Sequence, residues 1–252
     1  MTGWDRRDGQ APLVIGHRGA SAHALENTIS AFRRARADGA DGVELDVTTC
    51  KTGEVVVFHD DDLTRLAGRP EAIADLPLAA VREVRLTGGE TIPLLGEVLE
   101  ELGTRLVNVE LKAPRALTAV ATRLAPKVAR LLARHATGAR ALVSSFNPIA
   151  LAELRLVAPR VTTGLLFGAE QKRPLREAWA RGLIRPTALH PERLLVDEPR
   201  LARWRAEGYS VNVWTVDEEA EVGRLARLGV DGIITNDPAR TRAFLQGHRT
   251  LS

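Results

Sequence analysis

The sequence predicts an α/β protein, a single-domain TIM (β/α)8 barrel with one short insertion. Three observations carry that expectation. Short β-branched runs alternate with longer helical patterns almost throughout, which predicts parallel βαβ units. The 252 residues suit one such barrel, because single barrels of about 200–250 residues are ordinary. No linker rich in Pro, Gly and Ser and no repeat of fixed period divides the chain, so one large core is expected.

The elements follow in order. Leu13 to Gly16 is a strand ending at His17, and Asn27 to Ala37 a helix closed by Gly39. Gly42 to Thr48 is a strand. Val55 to Phe58 is another, reached through a turn at Lys51-Thr52-Gly53-Glu54. Leu94 to Leu102 is helical and Leu106 to Leu111 a strand. Ala116 to His135 reads as a long Arg-studded helix bent at Pro126. Strands then follow at Ala141 to Phe146, Thr162 to Phe167, Thr187 to Pro191, Ser210 to Val216 and Gly232 to Asn236. Between them lie helices at Ile149 to Val157, Leu175 to Gly182, Pro199 to Glu207 and Glu218 to Leu228. This reading gives nine strands, one more than a barrel holds. The link from Thr49 to Glu54 is also shorter than the dozen or so residues of a parallel crossover. One strand therefore lies outside the barrel, and Asp60 to Thr91 is the expected excursion.

Composition narrows the class. Hydrophobic residues are 44% and charged residues 27%, which excludes a disordered or fibrous chain. Aromatics are only 4%, so aliphatic side chains must fill the core. No apolar run approaches the roughly 18 residues of a membrane span, and the start lacks the features of a secretory signal. A cytoplasmic protein without stable membrane insertion is expected. The single cysteine, Cys50, excludes an internal disulfide framework. The net charge is +3 and the arginines are spread along helices among acids, so these charges read as solvated faces rather than a nucleic-acid footprint.

Function in a parallel barrel sits at the C-terminal ends of the strands. His17 and Arg18 end the first strand. In Val43-Glu44-Leu45-Asp46-Val47 the period of two puts both acids on one face. Parallel strands are normally apolar on both faces, so two such acids need cations or a metal beside them. His59-Asp60 ends the third run, and Asn108, Glu110 and Lys112 alternate along the fourth. Oxygen ligands such as Glu44, Asp46 and Glu110 suit Mg²⁺ or Ca²⁺. Two histidines beside them suit proton transfer near neutral pH. Arg18 and Lys112 supply positive charge for phosphate oxygens. Together these groups point to attack on a phosphodiester, whose non-bridging oxygens gather negative charge.

His17-Arg18-Gly19, Glu26-Asn27-Thr28, Glu44-Leu45-Asp46-Val47, Val57-Phe58-His59-Asp60 and Glu110-Leu111-Lys112 resemble, in order and spacing, the signature of the glycerophosphodiester phosphodiesterase family. Ser144-Ser145-Phe146, Val211-Asn212-Val213-Trp214-Thr215-Val216 and the stretch Gly229 to Pro238 agree with it. The resemblance runs from about Leu13 to Phe244. It implies a TIM barrel in which Glu44, Asp46 and Glu110 hold one divalent cation, Mg²⁺ or Ca²⁺. It also implies His17 and His59 as the acid–base pair, Arg18 and Lys112 on the phosphate, and Trp214 lining the substrate pocket. The implied substrate is a small glycerophosphodiester, cleaved to sn-glycerol 3-phosphate and an alcohol, with attack by the glycerol 2-hydroxyl as one route. Leu25 stands where the family commonly has Pro. Residues 60–93 resemble the family insertion in compact form, and 168–191 match only loosely.

Plainer readings stand beside these. Glu44 and Asp46 could pair with Arg18 and Lys112 as a buried ion network without metal. Glu26 reads as a helix-start acid, Asn27 as an N-cap, and Trp214 as core. His23, His135, His190 and His248 read as structural, and the glycines flanking Asp231 as turn residues. Two rival functions are weighed: a lysophospholipase D-type or sphingomyelinase D-like enzyme, which keeps the site and changes the substrate, and a barrel that binds phosphoesters without turning them over. The latter would lack an acid, base or ligand, and none is missing from the sequence.

Overall fold

A computed structural model of the chain describes residues 3–4, 10–112, 124–135 and 140–249. Nine strands form one sheet there: β1 (Leu13–Gly16), β2 (Gly42–Thr49), β3 (Val55–Val57), β4 (Leu106–Leu111), β5 (Ala141–Ser145), β6 (Thr162–Phe167), β7 (Ala188–Pro191), β8 (Ser210–Val213) and β9 (Gly232–Thr235). All but β3 are parallel to their neighbours. β1 pairs with both β2 and β9, which closes the eight-stranded barrel that the sequence predicts.

The surplus strand is β3. It runs antiparallel to β2, with Val47 opposite Val57 and Thr49 opposite Val55. A hairpin needs only a tight turn, which explains a link too short for a crossover. Gly53, at φ 95°, supplies the positive φ of that turn and donates its N–H to the Cys50 carbonyl at 2.9 Å. β2 rises past the barrel rim, and β3 brings the chain back to rim level.

Helices follow the strands in turn: α1 (Ile29–Ala37), α2 (Thr64–Ala67), α3 (Leu78–Glu83), α4 (Leu95–Leu102), α5 (Leu124–Arg134), α6 (Pro148–Val157), α7 (Arg173–Arg176), α8 (Arg181–Ile184), α9 (Glu198–Ala206), α10 (Glu219–Leu228) and α11 (Pro238–Arg249). The N-cap of α1 is Thr28, whose Oγ1 accepts from the Ala31 N–H at 3.2 Å, and not Asn27. Pro126 is the third of the described residues of α5. The part of the expected long helix at 116–123 lies outside the described residues. The expected helix from Leu175 to Gly182 is instead the two short pieces α7 and α8, interrupted where Ala178 takes φ 49°. The closing helix α11 completes the outer layer and has no counterpart in the sequence reading.

The aliphatic core divides as the strand period requires. Outward residues Val43, Leu45 and Val47 of β2 pack on Phe32 and Ala35 of α1 and Leu95, Val98 and Leu99 of α4. Val14, Leu189, Val211 and Ile233 pack on Trp204, Val222 and Leu225. Full burial of each such side chain is worth about 1.5–3 kcal/mol. Inside the barrel, Ile15, Leu142, Ala188 and Ile234 pack together with Trp4, whose indole N–H donates to the Arg140 carbonyl at 3.1 Å. The excursion after β3 carries its own cluster, Val56, Phe58, Leu63, Ile73, Val81 and Val84.

Candidate active site

The acids converge because β2 and β4 are neighbours in register. Glu44 lies opposite Asn108, and Asp46 opposite Glu110. Period two then places Glu44 one step below Asp46 on the same inner face. One oxygen from each of Glu44, Asp46 and Glu110 lies within 4.8 Å of the others. Glu44 is 4% exposed and Asp46 1%. Burial, reinforced by Asp46 and Glu110, pushes the Glu44 carboxyl well above its ordinary range. Burial and the Asp46 charge push Glu110 up to about 7. Burial would raise Asp46 too, but Arg18 and Lys112 outweigh it and hold that carboxyl low.

Arg18 leaves β1 at φ 55° and turns back over the acids. Its backbone N–H donates to Glu44 Oε2 at 3.0 Å, and Nη1 donates to Glu26 Oε1 at 2.8 Å. Nε lies 3.1 Å from Asp46 Oδ2 as an ion pair without hydrogen-bond alignment. Gly19 follows at φ 88° in a place where a Cβ would stand 2.6 Å from the Ala31 carbonyl carbon, so only glycine lets α1 approach. Lys112 Nζ sits 3.2 Å from Glu110 Oε1 and 3.6 Å from Asp46 Oδ1. Asn27, at φ 58° and 2% exposed, donates Nδ2–H to Asp46 Oδ2 at 2.9 Å and accepts the Asp46 N–H on Oδ1 at 3.2 Å.

The two histidines stand on either side. His17 Nδ1 lies 2.8 Å from Asn236 Oδ1. The amide orientation is fixed, because Asn236 Nδ2 donates to Asp217 Oδ2 at 2.6 Å and Ser21 Oγ donates to the same Oδ1 at 2.8 Å. His17 Nδ1 therefore carries the proton, and Nε2, 4.0 Å from Glu44 Oε2, has the lone pair. Burial, helped by the Arg18 charge, lowers the His17 pKa. His59 Nδ1 lies 2.6 Å from Asp60 Oδ1. It has a carboxylate partner where His17 has a neutral amide. His59 also lies near enough for its charge to help hold Asp46 low.

Across the rim, Trp214 meets Phe146 edge-on at 5.5 Å and donates its indole N–H to the His190 carbonyl at 2.7 Å. It is half-buried and packs against the cluster inside the barrel. His190 is fully buried in β7, where its Nε2 lies 3.1 Å from Asn212 Nδ2, and burial pushes its pKa down to about 3. His23 pairs with Asp237 at 3.1 Å, away from the acids. Gly229 is the left-handed cap of α10.

The structure thus brings His17, Arg18, Glu44, Asp46, His59, Glu110 and Lys112 together. Four residues of the cluster were not expected at the site: Asn27 beside Asp46 and Glu26 beside Arg18, read as helix-start residues, and Asn236 and Asp217 behind His17, which carried no role. Asn27, Glu26 and Asn236 do fall inside the recognised motifs, which was the available signal.

Fold and site define a barrel built for phosphoester chemistry, and comparison with known proteins makes the class specific. The model of the glycerophosphoryl diester phosphodiesterase family matches residues 17–240. The chain belongs to that family and is a phosphoric diester hydrolase. It is 34% identical over 236 residues to a glycerophosphodiester phosphodiesterase of Caldanaerobacter subterraneus subsp. tengcongensis, covering 90% of this chain and 94% of that one. A solved glycerophosphodiester phosphodiesterase of Thermotoga maritima is 31% identical, with TM-score 0.77 over 93% of this chain and 98% of that one. An Oleispira antarctica phosphodiesterase solved with the product sn-glycerol-3-phosphate is 26% identical, with TM-score 0.85 over 94% of this chain and 97% of that one. Among the described residues no helix is long and apolar enough to cross a membrane.

Proposed function

We propose that the enzyme hydrolyses glycerophosphodiesters to sn-glycerol 3-phosphate and an alcohol, using one divalent cation, Mg²⁺ or Ca²⁺. The observation that carries this reading is the convergence of three carboxylates at one rim, with the tautomer-fixed imidazole of His17 and the Asp60-bound imidazole of His59 beside them. The product held by the Oleispira antarctica phosphodiesterase supports the product assignment.

The acids fit a cation. Glu44 Oε1 is buried with no hydrogen-bond partner among the described residues. Burial and the neighbouring carboxylates drive Glu44 and Glu110 toward protonation, more than Arg18 and Lys112 offset. Three hard oxygen donors so close suit Mg²⁺ or Ca²⁺, which would supply charge against the non-bridging phosphate oxygens. Glu44, Asp46 and Glu110 hold it in this reading. Arg18 and Lys112 bind the phosphate and Trp214 borders the rest of the substrate.

The histidines divide the proton work. His17, neutral and with its lone pair on Nε2, takes the proton of the attacking hydroxyl, from water or from the glycerol 2-position. His59 presents Nε2–H to the leaving oxygen, while Asp60 stabilises the imidazolium. The leaving oxygen departs as an alcohol; with the 2-hydroxyl as nucleophile a cyclic phosphate forms, and its hydrolysis with the two proton roles exchanged restores both histidines, whereas with water His17 gives its proton to solvent and His59 takes one back.

The test is release of glycerol 3-phosphate from a panel of glycerophosphodiesters, with and without EDTA, alongside a lysophospholipid. Release is expected, lost in chelator and restored by Mg²⁺ or Ca²⁺. His17→Ala and His59→Ala should each lower kcat by about 10²–10⁴. Full activity in chelator, or wild-type kcat in both variants, would overturn the reading. Turnover of the lysophospholipid alone would shift the substrate to the acylated class.

A further inference from the structure

His59 is the part of the site that no barrel strand holds. It follows β3, whose rim end is tied by the Phe58 N–H to the Asp46 carbonyl at 3.0 Å. Beyond that point the chain enters the excursion, and something else must fix the ring. The hydrogen bonds lead to Arg65, in α2. Its Nε donates to Asp60 Oδ2 at 2.7 Å, while Asp60 Oδ1 meets His59. Its Nη1 and Nη2 donate to Glu26 Oε2 and Oε1 at 2.9 and 2.7 Å. Glu26 Oε1 also accepts from Arg18 Nη1.

We propose that Arg65 is a positioning residue for His59: its guanidinium fork holds Asp60 so that one oxygen faces the imidazole, and anchors that pair to Glu26 on the opposite loop. A lone Asp rotates freely about its terminal torsion. A carboxylate held at one oxygen by a planar donor presents the other in a fixed direction. The arginine touches none of the three clustered acids and reaches the chemistry only through Asp60 and Glu26. Its side chain is 47% exposed, against 21% for Asp60 and 16% for Glu26. As a mere surface ion pair it would contribute little to stability and nothing to turnover.

The inference rests on His59 acting in proton transfer, as proposed above. The experiment is a cycle of Arg65→Ala, His59→Ala and the double variant, with Arg65→Lys as a milder change, read by kcat, KM and melting temperature. Arg65→Ala should lower kcat about tenfold or more, a share of the roughly 10²–10⁴ that positioned proton transfer supplies. KM should stay within about twofold, since unequal effects on kcat and KM separate turnover from uniform binding. Arg65→Lys, able to reach one carboxylate but not both, should recover part of the loss. In the His59→Ala background, Arg65→Ala should cost nothing further. Losses that multiply in the double variant, unchanged kcat, or a rise in KM alone would overturn the assignment, the last placing the effect on Arg18. Wild-type kcat in His59→Ala would instead overturn the proton-transfer reading itself. If Arg65→Ala does not fold, Arg65→Lys and its combination with His59→Ala supply the same cycle.

Discussion

Asn27 and Asp46 clamp each other. The amide donates to Asp46 Oδ2 at 2.9 Å and accepts the Asp46 N–H at 3.2 Å, in a place where both residues are buried. The left-handed φ of Asn27 is what turns its side chain inward. Asn is among the few non-glycine residues that take this conformation readily.

Asn27→Ala should therefore leave a buried N–H unpaired and free the Asp46 carboxylate to rotate. The expected cost is about 1–3 kcal/mol of stability. Affinity for Mg²⁺ or Ca²⁺ should fall about 10–100-fold, as when a ligand loses its orienting partner. Denaturant unfolding and calorimetric titration read the two separately. Unchanged affinity would mean that the clamp serves the fold alone.

A cation at the acids, as proposed, would bind the folded chain and not the unfolded one, so it should raise the melting temperature in proportion to the logarithm of its concentration. Glu44→Ala and Asp46→Ala should abolish activity and this shift together while far-ultraviolet circular dichroism stays that of the parent. A full metal-induced shift in both variants would place the ion elsewhere.

Glu110 makes the metal-free protein sensitive to pH. Its folded pKa is raised to about 7 from 4.5, so the folded state binds more protons than the unfolded one between those values. Stability is lost as pH rises through that window. In EDTA, Glu110→Gln should gain on wild type by at most about 1.4 kcal/mol per pH unit between pH 4.5 and 7. The gain should shrink when the metal is restored. A difference independent of pH would contradict the shift.

His190 acts in the opposite sense. Its folded pKa is lowered to about 3 from 6.5, so below 6.5 the unfolded chain takes up a proton that the folded one refuses. Stability falls as the medium is acidified. Relative to its value at pH 7, His190→Gln should hold its unfolding midpoint better than wild type down to pH 4.5. Parallel midpoint curves would show that the ring is protonated inside the barrel.

Much of the site could be read from the chain because period two is a strict rule. Glu44 and Asp46 had to share a face of one strand, and Glu110 and Lys112 a face of another. That those faces adjoin was not readable, since β3 stands between β2 and β4 in sequence but outside the barrel in space. Asn27 was misread because an N-cap and a clamp use the same short amide, and only the φ of 58° separates them. Glu26 was taken for a helix-start acid, although it accepts from Arg18 and Arg65 together. Arg65 was hidden by company, one of many arginines on what looked like solvated faces. Ala178 gave no local sign that its left-handed φ would split a helix.

The hairpin formed by β2 and β3 has a topological result. Because the chain doubles back instead of crossing over, the whole stretch from 60 to 93 hangs from a single barrel unit. Its length can change without moving any inter-strand bond of the closed ladder. The fold thereby lets this stretch vary apart from the fixed ionic floor, to which it is joined by His59 and by the fork of Arg65 on Glu26.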